Sequence, residues 1–153
     1  TGGIGSAILR FDLFIGNRAG DFFIPAGGTL DFGVPAFNQQ ARVDIIKSGA
    51  DVFSVAGADV LQNVFQTNPG DSPISGYTTF VVDLTSLLSA HKGETLRLRF
   101  AETDNVGPFQ LGVDNVALEI RPVPEPTTIL TCGLGGLIGV LAGRRRRVSP
   151  SPR

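Results

Sequence analysis

The chain has 153 residues and a formal net charge of −1, room for one ordinary domain plus an appendage and no global basic field to hold nucleic acid. Its one cysteine, Cys132, excludes an internal disulfide framework and a cysteine zinc cluster. With 20 glycines, 10 prolines and 11 phenylalanines, the composition suits a turn-rich all-β domain with an apolar core.

Leu9-Arg10-Phe11-Asp12-Leu13 alternates apolar and polar residues, the period of a half-buried strand with Leu9, Phe11 and Leu13 inward. Turns are expected at Gly16-Asn17 and Ala19-Gly20-Asp21. Phe22-Phe23-Ile24 is a short apolar run stopped by Pro25, and Thr29 to Val34 reads as a further short strand. Gln40 to Ile46 alternates again, with Ala41, Val43 and Ile45 on one face and Arg42 and Asp44 on the other. Val52 to Val55 reads as a strand. Val60, Leu61, Val64 and Phe65 have helical spacing in a stretch short enough to leave helix and strand both open. Asn68 to Pro73 is a loop.

Tyr77 to Val82 is a strand rich in β-branched and aromatic residues. Asp83 then caps a short helical turn through Leu87, Leu88 and His91, ended by Gly93. Leu96-Arg97-Leu98-Arg99-Phe100 is the cleanest strand, with both arginines expected outward. Phe109 to Ile120 is the last. Its apolar phase changes from Phe109, Leu111 and Val113 to Val116, Leu118 and Ile120, which requires a bulge at Asp114-Asn115. If the second set faces the core, Asp114 is expected to do so too, with a buried partner. About seven short strands without βαβ alternation predict an all-β antiparallel β-sandwich over residues 1–121.

The character changes after Ile120. Residues 122–126 form a proline linker. Residues 127–143 carry no charge, and residues 144–153 are basic. Up to Pro124 the chain holds 8 Lys+Arg against 13 Asp+Glu, so a mildly acidic domain is joined to a basic end. The 17 uncharged residues span about 25 Å as a helix, close to the ~30 Å hydrocarbon core. Arg144, Arg145, Arg146 and Arg147 fix that end on the cytoplasmic side, with the domain outside. The chain starts at Thr1 and contains no methionine. This reads as a fragment or processed form, so the lack of a visible signal peptide is uninformative.

Val123-Pro124-Glu125-Pro126, the apolar span and the arginine cluster together resemble the PEP-CTERM sorting signal of Gram-negative bacteria. The resemblance covers about 25 residues and implies export, transient anchoring in the inner membrane through 127–143, and an exosortase-type processing enzyme that recognises Pro124, Glu125 and Pro126. Such proteins typically occur in bacteria that make extracellular polysaccharide. Val148 to Arg153 extend a few residues further than is usual.

More loosely, "AILRFDLFIGN" and "LRLRFAETDNVGPFQLGVDNVALEI" resemble the opening and closing strands of galactose-binding and carbohydrate-binding jelly-roll modules. That resemblance implies a jelly-roll-like form of the antiparallel β-sandwich, and a structural calcium ion on Asp114, with Asp12, Asn17 and Asp21 as partners. Carboxylate, amide and backbone oxygens suit calcium. The alternative is that Asp114 accepts backbone hydrogen bonds at the bulge and the others are turn residues. Tyr77, Asp104, Asn105 and Gln110 are candidates for a polar glycan site, although turn and strand roles explain them equally. Sugar platforms use aromatic faces. With no tryptophan and one tyrosine, and phenylalanines mostly at inward strand positions, the sequence offers no strong platform.

His91, the only histidine, reads as a surface residue, and no Gly-x-Ser-x-Gly elbow is present. The expectation is a non-catalytic exported protein of the cell surface or extracellular matrix. A module binding extracellular polysaccharide is the alternative, and a small secreted hydrolase a third class.

Overall fold

The computed structural model describes residues 3–16 and 19–124. Its elements, in order, are β1 (Ile4–Gly16), β2 (Gln39–Lys47), β3 (Val60–Gln66), β4 (Ile74–Asp83), α1 (Thr85–Ala90), β5 (Leu96–Asp104) and β6 (Gln110–Pro122). The strands form two three-stranded antiparallel sheets, β4-β1-β6 and β3-β2-β5. This is the expected all-β sandwich, with six strands among the described residues where a full jelly roll has eight. The segments 127–143 and 144–153 lie outside the described residues. Among those described, no helix is long and apolar enough to cross a membrane.

The alternation in β1 sets the core. Ala7, Leu9, Phe11, Leu13 and Ile15 are all buried on one face; the first four meet Val43 and Ile45 of β2, and Ile15 packs with Phe22 and Ala41. Phe11 stacks on Phe80 of β4 (5.4 Å between ring centroids) and meets Phe100 of β5 edge-on (5.5 Å), tying the two sheets together. Phe65 of β3 meets Phe80 at 5.2 Å. Each such buried ring stabilises the fold by about 1.5–3 kcal/mol through burial alone.

Two expected strands are loops. Thr29 to Val34 lies in turns because its carbonyls are taken by side chains in place of a strand partner. Asn38 Nδ2 donates to Thr29 O and Asp31 O, Gln40 Nε2 to Thr29 O, and Thr103 Oγ1 to Leu30 O. Val52 to Val55 likewise turns, with Val52 O and Ser54 O accepting from Arg99 Nη1 at 2.7 and 2.8 Å. Of the run Phe22–Ile24, only Phe23 pairs, with Gln39.

Residues 60–66 form strand β3. Their helix-like spacing comes from two register shifts against β2, between Val43 and Asp44 and between Ile45 and Ile46. Each shift repeats an apolar residue on one face. Residues 85–90 are helical as expected, but the cap position is Leu84 and not Asp83; Asp83, one residue earlier, accepts the Thr85 N–H on Oδ1 at 2.8 Å.

The phase change in β6 is a bulge. Arg10 of β1 faces Ala117 while Asp12 faces Asp114, which leaves one extra residue on β6. Asn115 absorbs it at φ 50°, a left-handed conformation that asparagine tolerates better than most residues. Asp114 is exposed and Asn115 takes the flip. This corrects the expectation of an inward Asp114: the extra residue enters after it, so it keeps the outward phase of Gly112.

Candidate functional site

On β2 and β5, Arg42, Asp44 and Arg99, expected outward, are buried, Arg97 is half-buried, and Leu98, expected inward, is 36 % exposed. Arg42 and Arg99 are each 8 % exposed and Asp44 is 0 %. The loop after β2 covers this face of the sheet through the Arg99 bonds above and through Arg97 Nη2, which donates to Ser48 O and to Ala50 O. Beneath it, Asp44 accepts from Arg42 at 2.9 and 3.1 Å, from Arg99 at 2.6 Å and from Asn63 at 2.7 Å. Burial pushes the Asp44 carboxyl up, but the hydrogen bonds from Arg42, Asn63 and Arg99 outweigh it and hold it below the usual value. Both Asp44 oxygens accept from these donors, so the cluster reads as structural, although Arg99 Nε is buried without a hydrogen-bond partner.

A second polar set gathers the long loop before β2. Gln39 Nε2 donates to Ala19 O and Asp21 O. Asn105 Nδ2 faces the carbonyls of Phe32, Val34 and Ala36, while its Oδ1 accepts the Asn38 N–H at 2.7 Å. Sequence reading missed this network. The signal was three consecutive amides, Asn38-Gln39-Gln40, at the mouth of a buried strand.

The structure gives the candidate glycan residues varied roles. Asp104 Oδ1 accepts the Val106 and Gly107 N–H groups, the geometry of a tight turn. Asn105 is occupied by the loop carbonyls. Tyr77 packs its ring 6.0 Å from Phe14 and lies against Gly112 of β6, where an added Cβ would come within 2.7 Å of the phenol oxygen. Gln110 opens β6 opposite Gly16. Tyr77 and Gln110 therefore belong to one sheet, and Asp104 and Asn105 follow from the other.

Of the candidate calcium residues, Asp12 and Asp114 come together as register partners. Asn115 joins them: its Nδ2 donates to Asp12 Oδ2, and its N–H to Asp114 Oδ1, both at 2.7 Å. Hydrogen bonds from Asn115 and then Thr79 lower the Asp12 carboxyl below its usual range. The Asp21 carboxylate instead accepts the Phe22 and Gly70 N–H groups. Asn17 lies outside the described residues. Calcium takes 6–8 oxygens, so the described residues supply part of such a shell. Among them no group of three or more His, Cys, Asp or Glu side chains is placed to hold a metal ion.

Two surface features were not legible in the sequence. Phe32, Phe37 and Phe53 sit in loops and are 72 %, 65 % and 61 % exposed; Phe32 and Phe53 fall in the two expected strands that are loops, and Phe37 lies between expected strands. The other feature is an aliphatic groove of about 430 Å³ between the edges of β5 and β6, walled by Leu9, Leu96, Leu98, Val116, Leu118 and Ile120. His91 stands on its rim with Nδ1 3.0 Å from Glu94 Oε2. Lys92, Glu94 and Arg97 also line the groove.

The folded domain runs directly into the linker. The Val123 N–H still donates to Gly3 O at 2.9 Å, so the backbone leaves the sheet at Pro124. Glu125, Pro126 and Arg144, Arg145, Arg146 and Arg147 lie outside the described residues. Comparison with known families places a PEP-CTERM protein-sorting motif at residues 122–147. No curated protein and no solved structure matches the chain. The motif begins at the last residue of β6 and covers the linker, the uncharged span and the arginine cluster.

Proposed function

We propose that this exosortase substrate, an exported protein with a membrane-anchored sorting step, is a non-catalytic structural component of the cell surface or extracellular matrix. In this reading the sandwich is the working part and the segment from Pro124 onward is disposable. The observation that carries it is the junction. The sorting motif starts at residue 122, inside the last strand, and the backbone is held to β1 as far as Val123. Only Pro124, Glu125 and Pro126 then separate the fold from the uncharged span, a reach of roughly 10 Å. In this reading the anchored sandwich stands against the non-cytoplasmic face of the inner membrane, with little else between domain and signal.

A glycan-binding role is the second reading. It rests on the exposed rings of Phe32, Phe37 and Phe53, which offer apolar faces of the kind sugars stack on. One experiment separates the two. The surface fraction of the native host is treated with enzymes that degrade its polysaccharide, and the chain is then followed. A structural component stays in the particulate fraction, as do its Phe32→Ala and Phe53→Ala variants. A glycan binder is released by the digestion, and each of those substitutions weakens its retention several-fold. Release of the wild type would sink the structural reading.

A further inference from the structure

The last strand carries a self-complementary edge, and we infer that β6 pairs antiparallel with β6 of a second copy, with Ile120 on the two-fold axis. Among the described residues β6 is the outer strand of its sheet, bonded to β1 on one side and to no strand on the other. Its backbone polarity there follows from two bonds. Ala7 accepts the Leu84 N–H on its carbonyl and donates its own N–H to Thr85, both on the β4 side. Ala7 is the register partner of Ile120. In an antiparallel ladder such a pair is not bonded to itself, so Ile120 turns its N–H and C=O to the open edge. Leu118 and Pro122, two residues either way, do the same. Val123, which donates to Gly3 on the other side, is in step with this.

The side chains on this stretch are unusual for an exposed edge. Val116, Leu118 and Ile120 line the groove and are 48 %, 48 % and 52 % exposed. Natural edge strands are commonly protected by charge or by proline, yet here a row of large apolar residues lies open for three successive positions. Glu119 and Arg121 alternate with them on the opposite face, their charged atoms 4.0 Å apart and both exposed.

Charge selects the register. With Ile120 on the axis, Glu119 stands opposite the partner's Arg121 and Arg121 opposite the partner's Glu119, so two cross-strand ion pairs form by symmetry. Ile120 exchanges two hydrogen bonds with its counterpart, and each Leu118 N–H reaches the partner's Pro122 carbonyl. Pro122 lacks only a donor, and this register asks it for an acceptor. Placing Glu119 on the axis would set it against itself, and placing Leu118 there would set Glu119 opposite the partner's Ala117 and lose both ion pairs. In the chosen arrangement the sheet becomes six strands wide, and the grooves of the two copies merge and close over their apolar rows. The occupant of the groove is thus a second copy of this chain. This goes beyond the sorting role and stands on the β6 edge alone.

The test is disulfide trapping in the full chain carrying Cys132→Ser. Chains with Glu119→Cys and chains with Arg121→Cys are co-expressed and oxidised. Opposed positions sit about 4.5–5.5 Å apart between Cβ atoms, within reach of a disulfide, whereas 119 and the partner's 119 lie about 7–8 Å apart. The mixed pair should give a covalent dimer at roughly ten times the yield of Glu119→Cys alone. In parallel, Glu119→Arg should weaken dimerisation of the detergent-solubilised chain roughly tenfold or more, and E119R/R121E should restore it. Both bands, with the tail retained or removed, are scored, so a failure of processing is not confused with a failure of pairing. Equal trapping in the mixed and single samples, no trapping in protease-resistant folded chains, or no rescue by the double reversal would each overturn the proposal.

Discussion

Asp44 shows how a single residue can be read correctly for direction and wrongly for environment. Its place opposite Ala41, Val43 and Ile45 was evident from alternation, but β2 is the middle strand of its sheet and a loop lies over its second face. Its carboxylate therefore balances two guanidinium groups that are almost fully buried. Asp44→Asn leaves Arg42 and Arg99 without a counter-charge and should cost about 3–5 kcal/mol, read as a lower midpoint in urea unfolding. The pH dependence has a definite sign. The folded carboxyl lies below its ordinary 3.8, so the stabilisation is present above that value and is lost as pH falls through the folded value. Unfolding followed from pH 6 downward should steepen below about pH 4 in the wild type, and less so in Asp44→Asn.

Asn115 makes a second case. Its positive φ is tolerated by glycine and strained for a β-branched side chain. Asn115→Val should therefore destabilise by about 1–3 kcal/mol, and Asn115→Gly by clearly less, measured in the same assay.

At the scale of elements, strands were legible wherever one face is buried and alternation is unbroken. β1 is of this kind; β4 was legible from its β-branched and aromatic content, and the first half of β5 from its alternation, although Leu98 is exposed and Arg99 buried. β6 was legible as well, because a phase change inside an apolar run leaves a bulge as the only consistent reading. The misses share one physical cause, side-chain donors taking backbone carbonyls. Thr29–Val34 and Val52–Val55 have strand-like composition, yet amides and guanidiniums from distant strands hold them as turns. Such pairings join residues up to 73 positions apart, and no local pattern carries them. β3 was obscured in another way, since two bulges in seven residues imitate a helical period. The loop account makes its own prediction. Asn105→Ala removes the donors to the carbonyls of Phe32, Val34 and Ala36, and should cost about 1–3 kcal/mol. Amide exchange should rise in residues 31–38 ahead of β1.

For the whole molecule, the two halves of the chain were legible to different degrees. The tail is read in linear order, proline linker, uncharged span and arginines, so sequence alone suffices to find it. The surface of the sandwich depends on which strands end at an edge, and that is set by topology. Among the described residues β2 and β3 are the only strands adjacent both in sequence and in a sheet, and every other connection passes between sheets. For that reason neither the groove nor the exposed Phe32, Phe37 and Phe53 was visible beforehand. The candidate calcium and glycan residues were found as residue types, and the structure gives most of them turn, bulge or loop-holding bonds.

The central claim is that the chain is exported through its tail and that the sandwich is what remains outside. The most direct measurement is the mass and location of the mature protein in its native host, for the wild type and for a variant with Pro124, Glu125 and Pro126 replaced by alanine. The account predicts that the wild type loses the tail and appears outside the cell, while the variant stays full-length in the membrane. A wild-type chain that keeps its arginine cluster and is found soluble in the cytoplasm would contradict it.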